Sequence, residues 1–275
     1  MRQLTQRELA DFQNDGVAFL PAAVDSQWVD RLLQLVDETL ENPGEWANDG
    51  NPGAERDRMF TQRYMWQNND TIRDYIFNSG CAALAGQAMG SNRVRFYFDH
   101  LLVKEPETSA ATPWHQDIPY WPFKGSQVCS IWLALTETTV EESAMEFIRG
   151  SHLDGNYYRP KVFNARDNHP NAWQEEAEGT PVPDIDGRRS DFDIIGYDVQ
   201  PGDALIFSAW TLHGAPGNAS SSKRRAALST RWLGDNATWF PHEGSDPIVG
   251  EQHVNQNLGD YPADDAVFPV VWQRG

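Results

Sequence analysis

His115 and Asp117 stand one residue apart in His115-Gln-Asp117, and a further candidate ligand, His213, follows far downstream in Ser208-Ala-Trp-Thr-Leu-His213-Gly214. Two imidazoles and one carboxylate are the ligand set of mononuclear non-haem Fe(II) oxygenases. On a strand, residues i and i+2 point to the same face. The spacing therefore predicts that His115 and Asp117 grip one ion together, with Gln116 facing away or lying along the rim. A ligand from a distant strand would close one triangular face of an octahedron and leave the opposite face open for a cosubstrate and O2. Zinc hydrolysis could use the same ligands, but no general base is evident beside them. Tripeptides of this kind arise often by chance, so the surroundings must carry the argument.

The elements that would position these ligands fall into two kinds. Thr5 to Glu8 reads as a capping box opening a short helix that ends near Gly16. Val17 to Leu20 reads as a strand stopped by Pro21. Asp25 or Ser26 caps a second helix, whose Trp28, Val29, Leu32, Leu33, Val36 and Leu40 recur at helical spacing and so belong to the core. Residues 42–58 are polar, rich in Gly and Pro, and read as a loop. Two short helices are expected over 70–78 and 81–89. From Val94 the pattern changes to short strands between turns, over 94–104, 130–135, 145–148, 204–207 and 226–232, which indicates a sandwich or barrel. Residues 159–193 are long, polar and poor in strand signal, and read as a flap near the barrel mouth.

Composition narrows the function. The 275 residues carry a formal net charge of -18, which repels nucleic acid and anionic membranes. Against that acidity the cluster Lys223-Arg224-Arg225 stands out. Only two cysteines occur, Cys81 and Cys129, as expected of a reducing, cytoplasmic setting. Neither a long apolar run nor a leader pattern is visible, so no membrane span is expected. The expected partner is a small molecule, and the overall charge favours a neutral or zwitterionic one over a bulky polyanion.

Several blocks resemble the phytanoyl-CoA dioxygenase family of Fe(II)/2-oxoglutarate oxygenases, in family order. They are Leu101-Leu-Val-Lys-Glu-Pro106, Thr112-Pro-Trp-His-Gln-Asp-Ile-Pro-Tyr-Trp121, Ser130-Ile-Trp-Leu-Ala-Leu135, Phe147-Ile-Arg-Gly-Ser-His152, Pro201-Gly-Asp-Ala-Leu-Ile-Phe207, Leu212-His-Gly-Ala-Pro216 and Arg224-Arg-Ala-Ala-Leu-Ser-Thr-Arg-Trp232. Two turns depart from the family pattern. Arg149 replaces a proline, and Glu141-Glu-Ser143 replaces Glu-Asn-Gly. The resemblance implies a mainly β fold with flanking helices, a double-stranded β-helix (jelly-roll) barrel. It would form one catalytic domain over 1–275, with a mainly helical part at 1–93, the barrel at 94–239 and an extension at 240–275.

The resemblance also implies cofactors and roles. Fe(II) would be held by His115, Asp117 and His213, and 2-oxoglutarate and O2 would take the remaining sites. Oxidative decarboxylation would give succinate and CO2 and attack a C–H bond. Related halogenases have a small non-ligand residue where Asp117 stands, so the intact carboxylate argues for hydroxylation. The distal carboxylate of 2-oxoglutarate needs a guanidinium, which meets it through parallel hydrogen bonds. Arg224 sits at the family's usual distance, but if Leu228 and Trp232 face the outer core, then Arg225, Ala227 and Ser229 face the interior, which favours Arg225. Trp132 and Gln116 are placed beside the cosubstrate, although Trp132 serves equally well as barrel packing. His100, Lys104, Trp114, Tyr120 and Trp121 are substrate-pocket candidates. His152 reads as a turn residue, and His169, His242 and His253 as surface residues. Desaturation, demethylation or ring formation are alternative outcomes of the same cofactor chemistry, and a non-catalytic metal-binding jelly roll is the alternative outside enzymes.

Overall fold

The computed structural model describes residues 2–160, 178–246 and 248–275. Residues 161–177 of the expected flap at 159–193 therefore lie outside the described residues, as does His169. The amino-terminal part runs α1 (Gln6–Asp15), β1 (Val17–Leu20), α2 (Ser26–Glu41), β2 (Ala47–Asp49), β3 (Met59–Arg63), α3 (Asp70–Asn78) and α4 (Cys81–Met89). The Thr5 and Glu8 side chains form the reciprocal capping box at the start of α1, and Gly16 closes that helix in the left-handed conformation. Asp25 caps α2 by accepting from the Trp28 amide. The stretch expected to be a loop at 42–58 instead contains β2, which pairs with β3. Its polar residues are those of a short edge strand, which alternation does not reveal.

The barrel strands are β4 (Arg93–Lys104), β5 (Thr112–His115), β6 (Phe123–Lys124), β7 (Val128–Ala134), β8 (Glu146–Ile148), β9 (Ile194–Gly196), β10 (Ala204–Ser208), β11 (His213–Ala215), β12 (Arg225–Leu233), β13 (Thr238–Trp239) and β14 (Val270–Gln273). One sheet has the order β1-β10-β7-β12-β4-β3-β2, with β14 also on β4, and a smaller one has the order β5-β11-β8-β9. All their pairings are antiparallel. The two sheets face each other as in a jelly roll, with Trp132, Ala134, Phe207 and Ala227 of the large sheet packing on Phe147 and Ala215 of the small one.

Alternation on the central strands decides which side chains meet the site. On β12, Ala226, Leu228 and Trp232 join the core shared with α2, α3 and α4. Arg225, Ala227, Ser229 and Arg231 occupy the alternate positions and face inward. On β7, Cys129, Ile131 and Leu133 pack outward, which turns Ser130 and Trp132 inward. The carboxy-terminal segment belongs to a second core cluster: Phe268 is fully buried against Tyr97, Phe123 and Trp239. Truncating such an aromatic side chain costs about 3–5 kcal/mol. Phe268→Ala should lower the urea midpoint correspondingly with little change in slope, and an unchanged midpoint would show that 240–275 is an independent appendage.

Candidate active site

His115 ends β5 and is paired directly with His213, the first residue of β11. Their rings lie 4.1 Å apart. Asp117 is not on the strand, contrary to the expected i, i+2 geometry: β5 stops at His115 and Asp117 has helical φ/ψ (−73°, −40°) before a short 3-10 turn. The turn swings the carboxylate back, so that Asp117 Oδ1 lies 3.5 Å from His115 Nε2 and 3.8 Å from His213 Nε2. All ligand atoms of the trio fall within 4.8 Å of one another, and all three residues are buried.

Each ligand is oriented by a neighbour. His115 Nδ1 is 2.8 Å from the Pro113 carbonyl and His213 Nδ1 is 2.9 Å from the Thr211 carbonyl. Both rings thus carry the proton on Nδ1 and turn Nε2 to the centre, the arrangement that fixes the tautomer of a metal-binding imidazole. Ser130 donates its hydroxyl to Asp117 Oδ2 at 2.6 Å, leaving Oδ1 for the centre. Burial, and then His115, push His213 down to about 3, so its ring is neutral. Burial opposes ionisation of Asp117, but the hydrogen bond with His115 and the influence of His213 hold it below the usual carboxylate range. Two imidazoles and an ionised carboxylate, in a dry shell that includes Phe147 and Phe207 against His213, make a donor set suited to a divalent transition metal.

The two arginines separate cleanly. Arg224 is half-exposed and paired with Glu105 and Asp37. Arg225 is 3% exposed, its guanidinium lies 4.8 Å over Trp132, and its Nε and Nη1 are buried without a hydrogen-bond partner. Lys104 sits opposite Arg225 on β4 and donates to the Pro216 carbonyl at 2.6 Å. Burial, with Arg225 beside it, pushes Lys104 well below its ordinary range, while burial alone brings Arg225 to about 10.

The remaining candidates divide by face. His100 pairs with Ser229 and faces the interior. Tyr120 is edge-on to His115, 5.6 Å away, and Trp121 is edge-on to Phe98. Trp114 points to the other face of β5, where it packs with Ile148 and Leu212 and donates to Asp186, so it does not line the interior. Gln116 is buried and fully engaged: its amide nitrogen donates to the Asn156 and Trp210 carbonyls and its oxygen accepts from the Tyr158 amide. It braces the chain behind the ligands and leaves nothing for a cosubstrate. His152 bonds the Gln13 carbonyl. His242, expected at the surface, is half-buried against the Trp121 carbonyl, while His253 is exposed. Ser130 and Arg231, both on inward positions, were not singled out by sequence. Surface clefts of about 480 and 500 Å³ lie around Tyr261, one beside Asp264 and one beside Arg93, and neither includes a triad residue.

A profile of the phytanoyl-CoA dioxygenase (PhyH) family matches residues 12–226. The chain belongs to the phytanoyl-CoA dioxygenase family. The multifunctional dioxygenase prhA of Penicillium brasilianum is 27% identical over 234 residues, covering 80% of this chain and 69% of that protein. The dioxygenase lolE1 of Epichloe uncinata is 24% identical over 203 residues, covering 74% and 69%. Among solved structures, the non-haem, alpha-ketoglutarate-dependent carbocyclase SnoK from nogalamycin biosynthesis is alike with a TM-score of 0.74 and 21% identity, over 98% of this chain and 97% of that one. The epimerase SnoN, solved with Fe3+, alpha-ketoglutarate and nogalamycin RO, follows with 0.71 and 22%, over 97% and 98%. At these identities the structural likeness speaks for the fold. This member of the phytanoyl-CoA dioxygenase family is an oxidoreductase whose cofactors are Fe(II), 2-oxoglutarate and O2.

Removing a residue that orients a metal ligand typically costs 10–100-fold in affinity. Ser130→Ala should weaken Fe(II) or Co(II) binding by roughly that factor in anaerobic calorimetry, and His115→Ala should abolish it. Unaltered affinity in Ser130→Ala would mean that its hydroxyl does not set the Asp117 geometry.

Proposed function

We propose that this enzyme hydroxylates an unactivated C–H bond of a small molecule, with His115, Asp117 and His213 holding the iron. The observation that carries the reading is the complete triad, whose carboxylate is ionised and fixed by Ser130. A site built for a halide would lack that carboxylate. When bound, Fe(II), 2-oxoglutarate and O2 supply the oxidising power, and the cosubstrate leaves as succinate and CO2.

The chain's own residues bind, orient and keep out water. Arg225 is the anchor for the distal carboxylate of 2-oxoglutarate: its Nε and Nη1 are buried without a partner, and a guanidinium meets a carboxylate through parallel hydrogen bonds. Lys104 lies beside it, and an anion there would favour its ammonium form. Trp132 supports the guanidinium from one side, so its role is to hold Arg225 in place. Arg224 takes no part, being paired on the outside. The apolar packing of Trp132, Phe147, Phe207 and Ala227 closes this end of the barrel to water. Residues 1–275 work as one catalytic unit, and the free, buried Cys81 and Cys129 favour the reducing cytoplasm as its compartment. No helix among the described residues is long and apolar enough to cross a membrane.

Protein purified without oxygen, then given Fe(II), 2-oxoglutarate, ascorbate and O2, should release succinate slowly, and His115→Ala should release none. Absence of succinate together with absence of 2-oxoglutarate binding would overturn the reading in favour of a non-catalytic jelly roll. A substrate that accelerates the release should gain one oxygen by mass spectrometry, whereas loss of two hydrogens would indicate desaturation or ring formation. Breaking a buried ionic contact costs about 3–5 kcal/mol, so Arg225→Ala should raise the 2-oxoglutarate concentration needed by roughly two orders of magnitude or more. Arg224→Ala should leave it within about twofold, as expected of a surface ion pair.

A further inference from the structure

Two arginines stand on the inward face of β12, and the assignment of Arg225 to the cosubstrate leaves Arg231 without a task. Arg231 is only 7% exposed, and its Nε and Nη1 are buried without a hydrogen-bond partner. Its guanidinium lies over Phe98 at 4.9 Å and over Trp121 at 5.8 Å. The carboxylates that influence it are Asp117 and Asp99, and both are committed elsewhere. Asp99 accepts from the Met65 and Trp66 amides at 3.0 and 2.9 Å. Asp117 accepts from Ser130 and turns its other oxygen to the imidazoles. A guanidinium taken out of water with its donors unanswered is costly, and removal of the arginine would cost nothing in pairing. Its retention in a packed interior points to a ligand.

The position says which ligand. Arg231 is opposite Ser130 in the β12–β7 register, level with the metal carboxylate. Arg225 is three inward positions earlier, on the order of 20 Å away between Cα atoms by strand rise. The two cations thus stand well apart on one strand, and Arg231 is the one level with the triad. Beside Arg231, His100 Nε2 and Ser229 Oγ are likewise buried and unpaired, and the two residues are partners across β4 and β12. Tyr64 stacks on Phe98 with centroids 4.8 Å apart, extending the aromatic wall.

Resting on the reading of Arg225 as the cosubstrate anchor, we propose that Arg231 is a specificity-determining residue that binds a carboxylate of the primary substrate, whose apolar body lies against Phe98 and Trp121. The substrate class is a small carboxylate with an aromatic or aliphatic body, and the C–H group facing the triad is the one oxidised. His100 and Ser229 give further hydrogen bonds to polar groups on that body.

The full-length protein loaded with Zn(II) and 2-oxoglutarate, which cannot turn over, provides the test. Phenylacetate and its neutral isostere phenylacetamide are titrated by calorimetry. Phenylacetate should bind the wild type more tightly than phenylacetamide by roughly tenfold or more, the scale of one charge-assisted hydrogen-bonded contact. Arg231→Met, which keeps the length of the side chain, should remove that preference and leave the 2-oxoglutarate affinity unchanged. Arg225→Met should do the reverse on the cosubstrate. The carboxylate-over-amide preference is read on the wild type and does not depend on any variant folding. Equal binding of the two probes, or no binding of phenylacetate, overturns the proposal. So does a loss of 2-oxoglutarate affinity in Arg231→Met, which would make Arg231 part of the cosubstrate site. Failure of the wild type to bind 2-oxoglutarate at all would instead overturn the reading on which the proposal rests.

Discussion

A buried carboxylate stays ionised beside two buried imidazoles only when every polar atom around it has a defined direction. Here Asp117 gives one oxygen to Ser130, and the two rings give Nδ1 to main-chain carbonyls two residues back in the chain in each case. One oxygen and two Nε2 atoms are thereby turned toward one point. The direct pairing of His115 with His213 sets the separation of the rings, and the end of β5 lets the chain turn and deliver Asp117. The barrel is rigid where this convergence needs it, with β7 and β12 buried along their whole length.

The charge of the molecule inverts from outside to inside. The chain as a whole is strongly acidic, yet Arg225, Arg231 and Lys104 line the interior and lack carboxylate partners among the described residues. Such an interior is stabilised by whatever anions occupy it, because a ligand that binds only the folded state adds its binding free energy to folding. The acidic exterior and basic interior therefore act in opposite senses on an anion: the surface gives little attraction at a distance, and selection is left to short-range geometry.

Much of this was legible in the sequence. The capping box at Thr5, the cap at Asp25, the helices before residue 90 and the long strands of the large sheet follow from local rules, because each is dominated by its own pattern. Alternation on β12 was sufficient to turn Arg225 inward and Arg224 outward, and carried one position further it reaches Arg231. The same rule misplaced Asp117, since the strand ends sooner than the motif implies. The β2–β3 hairpin lies at a sheet edge, where polar residues on both faces erase the period. Trp114 and Gln116 were read from proximity to the ligands, but neighbours in sequence on a strand and turn point apart, and only the tertiary partners of Gln116 show what it holds. Ser130 sat in a recognised block without a visible reason to prefer it over any other small inward residue.

Gln116 lies between two metal ligands in sequence and is clasped by the main chain of Asn156 and Tyr158 on one side and Trp210 on the other. Those segments enter the long 159–193 stretch and precede His213. One amide side chain thus works as a rivet through three layers of backbone. A rivet transmits displacement: a shift of the chain at 156–158 that pulled on this amide would load the turn carrying Asp117, and through Trp210 the approach to His213. The chain at 156–158 and the geometry of the centre are mechanically one piece.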